Sequence, residues 1–138
     1  MPELAAFEGD WLLERQISDA LAAAAGRFDG QARFAPGADG LIYDEEGVLH
    51  LPGQPPMAAT RRYLWRAEAA GIAVFFDDGR PFHGFGSTGS EQATHHCGPD
   101  LYQVRYDFSD WPRWRTLWRV TGPRKDYVMR STYWRPGD

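Results

Sequence analysis

Apolar and polar residues alternate with a period of two through most of this chain. In residues 101–108, Tyr102, Val104, Tyr106 and Phe108 share one face, and Gln103, Arg105 and Asp107 share the other. Trp114, Thr116, Trp118 and Val120 repeat the pattern against Arg113, Arg115 and Arg119, as do Ile72, Val74 and Phe76. A two-residue period marks strands with one buried face. The pattern predicts strands over residues 11–17, 28–34, 41–43, 48–51, 60–67, 72–77, 82–85, 92–97, 101–108, 115–120 and 127–134. Between them lie turn-forming runs: Asp44-Glu45-Glu46-Gly47, Asp77-Asp78-Gly79, Gly98-Pro99-Asp100 and Gly122 to Asp126. Turns this tight join antiparallel neighbours, not parallel crossovers. One short helix is expected over Ser18 to Ala25, capped by Ser18 or Asp19 and ended by Gly26. About ten antiparallel strands must close or stack to remove their edges. An all-β, up-and-down barrel with this helix between the first two strands is expected, with a two-sheet sandwich as the alternative.

Composition narrows the picture. The length of 138 residues is enough for one domain with a substantial core, so residues 1–138 are expected to form a single barrel domain. Six Trp, six Tyr and eight Phe stand in a chain with isoleucine only at 17, 42 and 72, so aromatic rings must fill much of that core. A net charge of −4 argues against nucleic-acid binding through bulk charge. The single cysteine forms no internal disulfide, and the first residues carry neither a basic start nor an apolar run. A cytoplasmic protein with no membrane segment is the expectation.

Candidate chemistry concentrates in Ala93 to Tyr102, which holds His95, His96, Cys97 and Asp100, with His83 just upstream. Imidazole, thiol and carboxylate bind metals and move protons. Strand alternation divides them, however, placing His95 and Cys97 on one face and His96 on the other. Cys97 then reads as a small buried thiol, and no metal site is expected. Glu45, Glu46, Asp77 and Asp78 read as solvated turn tips. Tyr63, Trp65, Tyr102, Tyr106, Trp118, Tyr127 and Tyr133 are expected to point inward, where their polar tips need partners. Arg113, Arg115, Arg119, Arg124 and Lys125, interleaved with Trp111 and Trp114, form an Arg/Trp face suited to a protein partner or a homodimer.

Gly9-Asp10-Trp11 at the first strand resembles the Gly-x-Trp of lipocalins and the wider calycin group. That resemblance implies a tryptophan closing the barrel base against an arginine from the chain's end, here Arg130 or Arg135. A broader resemblance runs from Phe7 to Arg135. It is carried by Phe7, Gly9, Trp11, Arg15, Gly30, Tyr43-Asp44-Glu45-Glu46-Gly47 and Tyr63-Leu64-Trp65. It continues through Asp78-Gly79-Arg80-Pro81-Phe82-His83 and His96-Cys97-Gly98-Pro99-Asp100-Leu101-Tyr102, and ends with Trp118 to Tyr127. These residues resemble an uncharacterised bacterial family of lipocalin-like domains of unknown function. The resemblance implies a calycin-like barrel and brings no activity or ligand.

The expected function is therefore binding of a small amphipathic or aromatic molecule in an aromatic-lined cavity. Tyr63, Trp65, Trp118 and Tyr127 would line it, with His83, His96, Tyr102, Arg62 and Arg130 as polar anchors. No cofactor is expected; haem or a metal held by His83 and His96 is the alternative. Two other function classes stay open. One is a small cofactor-independent lyase or isomerase, with His83 or His96 as base and Tyr102 as acid. The other is an interaction module using residues 111–119. The leaning is away from an enzyme, and no catalytic residue is assigned.

Overall fold

The computed structural model describes residues 1–69, 71–86 and 91–138. A short 3-10 turn over Leu4–Phe7 precedes ten antiparallel strands. These are β1 (Gly9–Asp19), β2 (Ala24–Pro36), β3 (Leu41–His50), β4 (Met57–Glu68), β5 (Gly71–Phe76), β6 (Pro81–Phe85), β7 (Gln92–Cys97), β8 (Asp100–Asp107), β9 (Trp114–Gly122) and β10 (Lys125–Trp134). They form one sheet in the order β6-β5-β4-β3-β2-β1-β10-β9-β8-β7. The sheet curls into a nearly closed up-and-down barrel. Its seam lies between β6 and β7, which exchange no ladder among the described residues. Among the described residues no helix is long and apolar enough to cross a membrane.

Two expectations fail locally. Residues 18–25 form no helix: β1 runs on through Asp19 and pairs with β2 down to Asp19–Ala24. The capping preference of aspartate is used, but on a turn, where Asp19 Oδ1 accepts from the Ala22 N–H at 3.1 Å. The alanines there have no apolar face to bury, so the ladder wins. Residues 44–47 form no turn either. β3 passes straight through them, merging two expected strands into one. Gly47 lies opposite Gly30 on β2. A Cβ on either would collide with backbone carbonyls, of Asp29 or of Glu46. The pair therefore lets β2 and β3 approach closely mid-strand, a role that resembles a turn signal in sequence.

One end of the barrel is closed by aromatic packing. Phe7 is fully buried and touches Phe34, Trp65, Phe108, Trp111 and Trp114. Trp11 Nε1 donates to the Phe7 carbonyl at 2.9 Å, tying the 3-10 turn to β1. Arg135, not Arg130, completes the plug. Its guanidinium lies 3.8 Å from the Trp11 ring centroid. It also donates to the carbonyls of Ala6, Glu8 and Asp10 at 3.0 to 3.1 Å. Gly9 adopts φ +111°, and a Cβ there would meet Arg135 at 2.9 Å, so glycine serves both the backbone and the arginine. Arg135→Ala removes the stacking and three charge-assisted bonds. It is expected to cost about 2 kcal/mol in chemical denaturation. Arg135→Lys, lacking the fork, should recover less than half.

The Arg/Trp face does not exist as read. Trp114 is 1% exposed, and Trp111 packs on Phe7 and Trp11 inside the plug. Trp114 shares a face with Thr116 and Val120, so alternation turns it inward and leaves Arg115, Leu117 and Arg119 outside.

Candidate functional site

β1 buries Trp11, Leu13 and Arg15 on one face, so a charged residue continues an apolar stripe into the barrel. β3 does the same with Leu41, Tyr43 and Glu45. The two charges meet. Arg15 Nη1 donates to Glu45 Oε2 at 2.7 Å and Nη2 to Oε1 at 3.0 Å, a two-pronged pair with both side chains under a tenth exposed. Arg15 Nε donates to Ser131 Oγ on β10 at 2.8 Å. Tyr43 donates to Glu45, so Tyr133 must donate to Tyr43 across their 2.8 Å contact, while accepting from Arg15 Nη2 at 3.5 Å. The four groups form a closed ring of hydrogen bonds. Burial alone would raise the Glu45 carboxyl, but the Arg15 hydrogen bonds and charge, with the Tyr43 hydroxyl, hold it below its ordinary value. Burial pushes the Tyr43 hydroxyl well up and the Tyr133 hydroxyl to about 12.

A second buried polar pair sits on β6 and β8. His83 Nε2 lies 2.7 Å from the Tyr106 hydroxyl. Burial, with a smaller contribution from His95, depresses His83 to about 3, so its imidazole is neutral near pH 7. If Tyr106 donates to Nε2, the only unmet group is the Nδ1–H. The opposite arrangement would strand both the phenolic proton and Nδ1. The first tautomer is the cheaper one. His83 Nδ1 and Trp114 Nε1 are buried and have no hydrogen-bond partner among the described residues. Both side chains line one small void of about 20 Å³, together with Arg15, Glu45, Arg61, Tyr63, Tyr106 and Trp118. Around it the described core is built mainly of aromatic side chains.

Beyond this void, towards the end opposite the plug, half-buried Tyr63, Phe76, Tyr102 and Trp118 surround buried Phe82. Phe82 touches Tyr63, Phe76, Tyr102 and Trp118. Arg61 has the same phase on β4 as Tyr63 and Trp65, so it turns into this mouth, with its guanidinium 6.0 Å from the Trp118 ring centroid. Among the described residues no carboxylate lies within ion-pair distance of Arg61, whereas Lys125 is matched by Asp100 at 3.0 Å.

Of the anchors expected from sequence, His83 and Tyr102 face the interior and the mouth. Tyr63, Trp65, Trp118 and Tyr127 belong to the same lining face. His96 does not: it is exposed, and His95 takes the inward position opposite Tyr102 in the β7–β8 register. His83 and His96 therefore form no pair for haem or metal. Among the described residues no three His, Cys, Asp or Glu side chains converge as a metal group. Cys97 is exposed at the β7–β8 turn rather than buried. Arg62 lies on the outer face and pairs with Asp44 at 2.6 Å, because it neighbours inward-facing Arg61 and Tyr63. Arg130 is exposed for the same reason, between buried Met129 and Ser131. Glu45, read as a solvated turn tip, is 5% exposed. Arg15, Tyr43, Glu45, Arg61 and Trp114 were not among the expected site residues. The available signal was phase: Arg15 and Arg61 each occupy every-second positions with buried aromatics.

Comparison with known proteins adds two findings. Residues 7–135 match the profile of DUF6314, a family of unknown function. Among solved structures, the S-type phycobiliprotein lyase CPES from Guillardia theta is similar at a TM-score of 0.65 and 10% identity. The match covers 98% of this chain and 91% of that one. At that identity the likeness concerns the lipocalin-like barrel alone. No curated protein matches.

Proposed function

We propose that this chain, which belongs to the DUF6314 family of unknown function, binds a small aromatic carboxylate in the open end of its barrel. The observation that carries this reading is Arg61. A guanidinium with no carboxylate partner among the described residues faces a mouth walled by the half-buried rings of Tyr63, Tyr102 and Trp118 and floored by buried Phe82. Apolar walls with one fixed charge are the usual composition of a small-molecule site. Arginine matches a carboxylate with two parallel hydrogen bonds and stacks on aromatic planes as well.

An acid–base role is the weaker reading. His83 and Tyr106 are within hydrogen-bond reach, but both are buried, and an imidazole depressed to about 3 is a poor base at neutral pH.

Native mass spectrometry of freshly purified protein reads any retained ligand. Titration with 3-phenylpropanoate, followed by tryptophan fluorescence, tests the chemistry. The carboxylate is expected to bind at least tenfold more tightly than its carboxamide, and Arg61→Gln to abolish that preference. Equal binding of acid and amide by the native protein would refute the reading.

A further inference from the structure

We propose that the void between His83 and Trp114 is a second polar subsite of the same ligand and takes an uncharged oxygen acceptor, such as a carbonyl oxygen, from the end remote from the carboxylate. This inference rests on the binding reading above and deepens it. Two buried donors without partners among the described residues, the indole N–H of Trp114 and the Nδ1–H of His83, line one void. Burying a donor without an acceptor costs on the order of 1–3 kcal/mol, so two beside one void are unusual in a filled aromatic core. At about 20 Å³ the void admits one oxygen atom but no ring.

The charge state of the acceptor follows from its neighbours. Arg15 beside the void is already matched by Glu45, Ser131 and Tyr133. The Glu45 carboxylate would repel a second anion. His83 is neutral, as derived above, and the indole is neutral at all pH values. Arg61 also lines the void, but in the binding reading its charge is taken by the ligand's carboxylate; the two remaining N–H groups are neutral donors, which suit a carbonyl oxygen. Position fits the same molecule. Trp65, Val74 and His83 lie in one cross-strand row, and Arg61 stands four residues from Trp65 along β4. The Cα spacing is about 13 Å by strand rise, and the Arg61 side chain reaches back far enough to line the void as well. Tyr63 and Trp118, both half-buried, stand between void and mouth, with ring centroids 6.2 Å apart.

The test compares 3-(4-acetylphenyl)propanoate with 3-(4-isopropylphenyl)propanoate, which share shape and charge and differ in the acceptor oxygen. The native protein is expected to prefer the acetyl compound about tenfold. The Trp114 indole and His83 Nδ1–H resonances in 15N-edited NMR are expected to shift with the acetyl compound only. His83→Phe should erase the preference while keeping carboxylate binding. The NMR readout needs no variant, so it decides the matter should His83→Phe not fold. Equal affinity with unmoved N–H resonances would mean the void holds only a fixed water, and overturns the subsite while leaving the binding reading intact. Failure of both compounds to bind overturns both readings.

Discussion

Truncating Glu45 to alanine is expected to destabilise the protein by about 3–5 kcal/mol, the largest effect of any single substitution outside the plug. The reason is what remains, not what is lost. Arg15 would stay buried with a full charge and only Ser131 and Tyr133 as partners, and the Tyr43 hydroxyl would lose its acceptor. Glu45→Gln should cost less, because the amide still accepts from Arg15. The double replacement Arg15→Met with Glu45→Leu should recover most of the loss, since removing both charges also removes their desolvation. Urea denaturation of the four proteins measures this. A cost below about 1 kcal/mol for Glu45→Ala would show that water reaches the pair.

Acidification is expected to weaken the fold well before the carboxylates titrate. Unfolded, the His83 imidazole takes its proton near 6.5; folded, burial and secondarily the His95 charge hold it neutral down to about 3. Between these values the unfolded chain binds the extra proton. The stabilisation is complete above about 6.5 and declines as pH falls, by up to about 1.4 kcal/mol per pH unit. Glu45, held below its usual value, adds a loss of the same sign, but only below about 4.5. The interval from pH 6.5 to 5 therefore isolates the histidine. His83→Gln should flatten the stability profile there, and an unchanged slope in that variant would assign the effect to other groups.

Much of the barrel is legible in the sequence because its strands are buried on one face only. The alternation through β8 and β9 gives both strand and orientation, and Gly9, Trp11 and Arg135 announce the plug. The errors share a cause. At Asp44 to Gly47, the composition of a turn covers a continuous strand, because Gly47 meets Gly30 across the ladder, a long-range fact. Glu45 was thereby sent to solvent, and Arg15 lost its partner. At Arg62 and Arg130 phase outweighs residue chemistry: an arginine adjacent to inward tyrosine, methionine or serine faces out. His95 and His96 show how finely this matters. Pairing His95 with Tyr102 fixes which imidazole enters, and a one-residue difference in register reverses it. The orphaned Trp114 and His83 nitrogens have no sequence signature, since they depend on what fails to approach them.

The join between β1 and β10 has a kinetic consequence. Every other ladder among the described residues pairs consecutive strands, whereas this one brings residues 12–19 to residues 127–134. Local hairpins can form early, but bridging the two chain ends bears the entropy of closing nearly the whole chain into a loop. The ties across that join, Arg15 to Ser131 and Arg135 to Ala6, then belong to the last stage of assembly. Ser131→Ala and Arg135→Ala should accelerate unfolding while leaving the refolding rate nearly unchanged, whereas substitutions at the β3–β4 hairpin should slow refolding. The lifetime of the closed barrel is governed where its first and last strands meet.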